Sequence, residues 1–147
     1  AQDENTKLHI DNQITAWHQA ATEADFKTYT ELMTKDAIFI GTDPTENWQG
    51  KAFLEFAKPY FDRGRAWSFS TLDRHIFLSD DQQMAWFDEL LDTQMGICRG
   101  SGVLVKVNSQ WKIKHYVLSI TIPNENVDEV KALKKKFEEE LIKKLKG

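Results

Sequence analysis

The chain holds a single cysteine, Cys98, so no disulfide can close within it and no cysteine pair can grip a metal. Of its four histidines, His9, His18 and His75 fall on separate segments without ligand spacing, and neither a metal nor a cofactor is expected. Proline is scarce, with three residues, and no Pro/Gly-rich hinge or low-complexity linker precedes residue 123, which argues against a division in the first 123 residues. No apolar run approaches the ~20 residues a membrane span needs. Basic charge is missing where a nucleic-acid binder would carry it. The net charge is −4, and the stretch before residue 127 has 12 Lys/Arg against 18 Asp/Glu. Only Val127–Gly147 reverses the balance, with seven lysines against five acids.

What is present is an ordinary globular composition enriched by five tryptophans, on 147 residues, enough for one domain with a sizeable core. The opening "AQDEN" is what signal-peptidase cleavage at a small-residue site leaves behind. The expectation is an exported bacterial protein, periplasmic or secreted, or cytoplasmic if the terminus is only a boundary.

Apolar residues at Ile10, Ile14, Trp17 and Ala21 predict an amphipathic helix. Asp25 reads as the N-cap of a second helix, with Phe26, Tyr29, Leu32 and Met33 inward. Ala37–Ile40 is a short strand entering the turn-rich "GTDPTENWQG", and Lys51–Phe61 is a third helix. From Trp67 the period changes to two, giving four long strands that should pair as an antiparallel meander. Val127–Lys146 is a charged helix with Val130, Leu133, Phe137, Leu141 and Leu145 in one stripe. The order predicts an α+β fold in which a twisted sheet curls around three helices, residues 1–126, followed by a C-terminal amphipathic helix, 127–147. In "WKIKHYVLS" strict alternation puts Trp111, Ile113, His115 and Val117 on one side, and Lys112, Lys114, Tyr116 and Leu118 on the other.

Four stretches in this order, "FIGTDPTENWQG", "AWFDELLD", "RGSGVLVKV" and "WKIKHYVLS", resemble the SnoaL-like subfamily of the nuclear-transport-factor-2-like superfamily over about Ile10 to Asn124. The resemblance implies the cone-shaped fold shared by SnoaL-type cyclases, ketosteroid isomerases and scytalone dehydratase. It implies function weakly, because catalysts and binding modules share that cone. It also implies what is missing. Trp17 stands where the steroid isomerases have a helix tyrosine, Val103 falls near their late-strand aspartic acid, and Gly41 or Thr42 near their base. Trp donates one N–H and Val none, so that oxyanion hole is absent.

If the His115 row faces the cavity, parity puts Arg99, Ser101 and Val103 beside it. The resemblance to the isomerases turns Met84, Trp86, Asp88 and Leu90 inward; the row Ala85, Phe87, Glu89 and Leu91 is about equally apolar and stays open. The expected pocket has Trp17, Tyr60, Trp86 and Val103 as walls and Thr42 and Asp43 at its mouth, with Glu46 beside them or capping the loop. His115, Asp88 and Arg99 are the candidate catalytic groups: a base, its orienting carboxylate and an anion-stabilising cation. Alternatively Asp88 and Arg99 form an ion pair and His115 bonds to one of them. Two functions stay open, a small-molecule pocket with or without cofactor-independent proton transfer, and a non-catalytic binding or dimerisation module. Apolar residues in both rows of several strands point to a homodimer through the outer sheet face, and the C-terminal stripe is expected to dock against its own sheet or a partner's.

Overall fold

The computed structural model describes residues 2–64 and 66–147. Helices α1 (Gln2–Thr22) and α2 (Phe26–Glu31) precede strand β1 (Met33–Ile40), the two-residue β2 (Trp48–Gln49) and α3 (Lys51–Asp62). Four long strands follow: β3 (Phe69–Leu78), β4 (Met84–Thr93), β5 (Gly96–Val107) and β6 (Gln110–Ile120). A short 3-10 turn at Asn124–Asn126 leads into α4 (Val127–Lys146). Asp25 caps α2 as expected, its side chain accepting from the Thr28 N–H. The six strands form one open mixed sheet in the order β2-β1-β6-β5-β4-β3. The long strands make the antiparallel meander, and β1 joins β6 in parallel.

The sheet bends around α1 to α3 to give a cone, and its inner volume is filled with aromatic rings. Trp17 stacks on Tyr29 at 5.0 Å and meets the Tyr116 ring edge-on at 4.9 Å, while Phe39 stacks on Phe53 at 4.7 Å. Such offset and edge-on pairs add about 0.5–1.5 kcal/mol each beyond the area they bury. The centre of the cone is therefore packed solid.

One residue decides which side chains reach that centre. Ile113 lies opposite Leu104 and His115 opposite Val103, so Lys114 is an extra residue on β6 with no partner on β5. Such a bulge shifts the alternation by one. Trp111 and Ile113 point inward, and beyond the bulge Tyr116 and Leu118 do. Lys114 is tied to Asp36 of β1 by a 2.9 Å ion pair.

Gly100 and Gly102 make room for the rings that result. A Cβ on Gly100 would collide with the Tyr116 hydroxyl, and one on Gly102 with the His115 carbonyl and the Phe87 ring.

Of the two docking surfaces expected for the C-terminal helix, its own sheet does not bury the stripe. None of its residues is buried, and Leu133 and Leu145 are 85% and 74% exposed. In its middle, Lys134, Phe137 and Glu138 form a groove with Asp43 and Pro44 of the loop after β1.

Gly100→Ala should cost about 1–3 kcal/mol, because a methyl there forces Tyr116 off its position in a filled core. Urea melts should register this loss, while Gly96→Ala, whose new Cβ meets nothing, should show only the smaller strain of a positive φ.

Candidate binding site at the mouth of the cone

At the wide end, where α1 has ended at Thr22 and the strands run on, the packing opens into a cavity of about 230 Å³. Phe39, Trp67, Phe69, Leu118 and Met95 make it apolar, and Tyr60 of α3 lies across one side. Its carboxylate is Glu46, which accepts from the Trp48 indole N–H at 3.0 Å and from the Asp43 backbone N–H at 3.2 Å. Gly41 also lines the cavity, and any side chain there would strike the Glu46 carboxyl. Trp48 in turn stacks on Phe56 at 4.2 Å, which anchors the Glu46 loop to α3. The result is an apolar slot with a fixed acceptor at its rim, the pattern of a small-molecule site.

Of the residues expected to form the pocket, Tyr60 and Thr42 line it. Asp43 does not; its carboxylate closes the turn, accepting from the Thr45 N–H and hydroxyl, and these bonds hold it below its usual pKa. Trp17 is buried in the packed centre, its indole N–H without a partner among the described residues.

The remaining candidates require a correction. The Lys114 bulge turns His115 away from the row of Trp111 and Ile113, and β4 takes the alternative parity, with Ala85, Phe87, Glu89 and Leu91 buried. Trp86, Asp88, Arg99, Val103 and His115 accordingly lie on the outer face of the sheet. Register brings several of them together there: Trp86 is opposite Val103, and Val103 opposite His115. Asp88 bonds to neither Arg99 nor His115 but to His75 of β3, at 2.9 Å. That bond, aided by Asp73 at 3.5 Å, raises the exposed His75 above its usual pKa.

The charged cluster inside the cone is a different one. Glu89, 1% exposed, accepts from His18 Nε2 at 2.8 Å and from the Tyr116 hydroxyl at 2.7 Å on one oxygen. Its other oxygen accepts from Arg74 at 2.9 Å and 2.8 Å. Arg74 continues to Asp11, Thr15 and Thr71, so both oxygens of Glu89 are answered and its cation is tied in turn to α1 and β3. Desolvation pushes the Glu89 carboxyl up, but the His18 bond and charge, the Arg74 charge and the Tyr116 bond outweigh it and hold the pKa below the ordinary value. Burial, and then the neighbouring Glu89 charge, drive the Tyr116 hydroxyl well above its own. The His18 ring is met edge-on by Phe69, a wall of the mouth cavity. Glu89 was visible in sequence only as a member of the alternative row. Nothing marked His18 or Arg74 as its partners, because they come from segments 71 and 15 residues away.

The comparisons agree with this architecture. The family model described as the SnoaL-like domain matches residues 10–123. No curated protein matches the chain. Among solved structures, a nuclear-transport-factor-2-like protein of unknown function from Pseudomonas putida is similar at 15% identity and TM-score 0.68, covering 84% of this chain and 92% of that one. A proposed dehydratase of the same family from Streptomyces avermitilis is similar at 14% identity and TM-score 0.70, over 84% of this chain and 100% of its own. The association domain of CaMKII from C. elegans is similar at 19% identity and TM-score 0.67, over 81% and 98%. At these identities the likeness is one of fold.

The Glu89 cluster predicts a pH dependence. A carboxyl whose pKa is lower when folded contributes stability that is fully present above its unfolded value of 4.5 and is lost as pH falls through the folded value. Glu89→Gln should cost about 3–5 kcal/mol at neutral pH, since it strands Arg74 without its buried counter-charge. In urea melts the gap between parent and variant should narrow below pH 4.5; a constant gap would place the ionised Glu89 outside the stabilising network.

Proposed function

We propose that this chain, which belongs to the SnoaL-like domain family, is a binding module that takes a small, mostly apolar organic molecule at the mouth of its cone without transforming it. The observation that carries this reading is the Glu46 carboxylate, fixed by two N–H donors at the edge of an otherwise aromatic and aliphatic slot. A carboxylate only accepts hydrogen bonds, so the ligand chemistry it favours is an amine or another strong donor on an aromatic or short aliphatic body. Among the described residues the titratable groups on the cavity wall are Glu46 and the Tyr60 phenol, with no hydrogen bond between them, while Asp88, Arg99 and His115 lie across the sheet. Glu89 itself is buried, and both of its oxygens are already bonded, to His18 and Tyr116 on one side and Arg74 on the other. Binding without chemistry is the simpler use of this arrangement.

A second reading, compatible with the first, rests on the outer sheet face. Phe77, Trp86, Val103, His115 and Ile38 stand in register across five strands, and Phe77 and Trp86 are 44% and 47% exposed. A contiguous apolar patch of this kind is a protein-contact surface more often than bare surface. We assign it to a second copy of the chain, making the protein a homodimer.

The mouth reading is tested with benzylamine and tryptamine against phenylacetate and indole-3-acetate, by thermal shift and calorimetric titration. The amines should bind, and Glu46→Gln should weaken them about 10-fold or more, the worth of one charge-assisted hydrogen bond. Binding of the acids in preference to the amines, or amine binding indifferent to Glu46→Gln, would overturn it.

A further inference from the structure

The family domain ends near residue 123, and α4 stands beyond it as an addition of this chain. A 20-residue helix that buries none of its side chains is an anomaly in energetic terms, since isolated helices of this length are marginal in water. Its stripe is complete and largely uncovered. Leu133, Phe137 and Leu145 are exposed, and Val130 and Leu141 are only partly covered. Its own sheet does not bury the stripe: the helix leaves β6 beyond Pro123, and its middle forms a groove with the Asp43–Pro44 turn.

The same chain carries a second uncovered apolar surface, the outer sheet face. The two surfaces match in size, and the segments that carry them differ in the sign of their net charge. A 20-residue helix is about 30 Å long, and six strands at about 4.8 Å spacing make a face of comparable width. The helix segment has two more lysines than acids, while the rest of the chain has six more acids than basic residues. On α4, Lys136 and Lys144 have no ion-pair partner among the described residues; the β3–β4 half of the outer face presents Asp92 together with Asp73 and Asp88, both paired with His75, and Arg99 of β5 stands beside it. Within one molecule these surfaces do not meet; between two copies both can be buried, reciprocally, about a twofold axis.

We propose that α4 is a dimerisation arm whose Leu133–Phe137–Leu145 stripe packs on the outer sheet face of a second copy, near Trp86. This rests on the homodimer reading and specifies what covers the face: an exchanged helix and not two sheets laid directly on each other. The exchange also connects the interface to the ligand site. The arm's foothold on its own domain is the Asp43–Pro44 turn, and that turn donates the Asp43 N–H to Glu46 at the cavity rim.

Two measurements on the full chain decide it. Leu133→Glu alters an exposed side chain, so circular dichroism should be unchanged, while sedimentation should show dimer dissociation at least about 10-fold easier. In the second, separately tagged Phe137→Cys and Trp86→Cys chains are mixed and oxidised. The native Cys98 is buried and stays out of the reaction. The mixed disulfide should accumulate over both symmetric ones. A dimer that survives Leu133→Glu and gives only Trp86→Cys symmetric disulfides would overturn the arm and leave the sheet-face dimer standing. A monomer at tens of micromolar would sink both, and a Phe137→Cys symmetric disulfide would replace exchange with helix-to-helix pairing.

Discussion

The extra residue at Lys114 sets the chemistry of both faces of the sheet. A strand has a period of two, so one inserted residue exchanges inside and outside for everything beyond it. Before the bulge β6 contributes Trp111 and Ile113 to the core; after it, Tyr116 and Leu118. Without the shift Tyr116 would face out and His115 would face the aromatic centre. With it, the Tyr116 hydroxyl arrives at Glu89, and His115 joins Trp86 and Val103 on the outer surface. The Lys114–Asp36 pair marks the insertion at the neighbouring strand.

The buried Glu89 follows from that placement. An ionised carboxylate inside a protein costs several kcal/mol in lost hydration, and it persists only when its lone pairs are answered. Here they are answered from three directions, by α1 through His18, by β3 through Arg74 and by β6 through Tyr116. Replacing such a cluster with matched apolar side chains is often neutral in stability, so its contribution lies in register: three elements must arrive together or none is satisfied. Gly100 belongs to the same device, since only a missing side chain lets the Tyr116 hydroxyl sit against β5.

A filled, saturated centre changes what the cone is for. Folds of this class carry catalysts and assembly domains alike, and the similar structures include both a proposed dehydratase and a kinase association domain. In this chain the aromatic rings close the middle, the open volume retreats to the mouth, and uncovered apolar surface gathers on the outer sheet face and α4. These features are the ground for proposing a binding module.

The sequence by itself determined the element order, the antiparallel meander, the Asp25 cap and the extent of α4, because periodicity, capping and turn residues act over a few neighbours. The nuclear-transport-factor-2-like cone was legible in four short stretches. Of the mouth, Thr42 and Tyr60 were legible, and Glu46 was visible as one of two readings of its loop. What the sequence could not determine was parity. The rows Met84–Trp86–Asp88 and Ala85–Phe87–Glu89 are similarly apolar, and a bulge leaves no local mark in "WKIKHYVLS", since Lys114 reads as one more alternating polar residue. Only pairing against β5 reveals it as extra. The same holds for His18, Arg74 and Glu89: each alone is an unremarkable polar residue, and a buried charge is stable only with partners delivered by the whole fold. Tertiary structure decided which face each residue serves, because facing depends on the register of neighbouring strands and a single residue of slip reverses it.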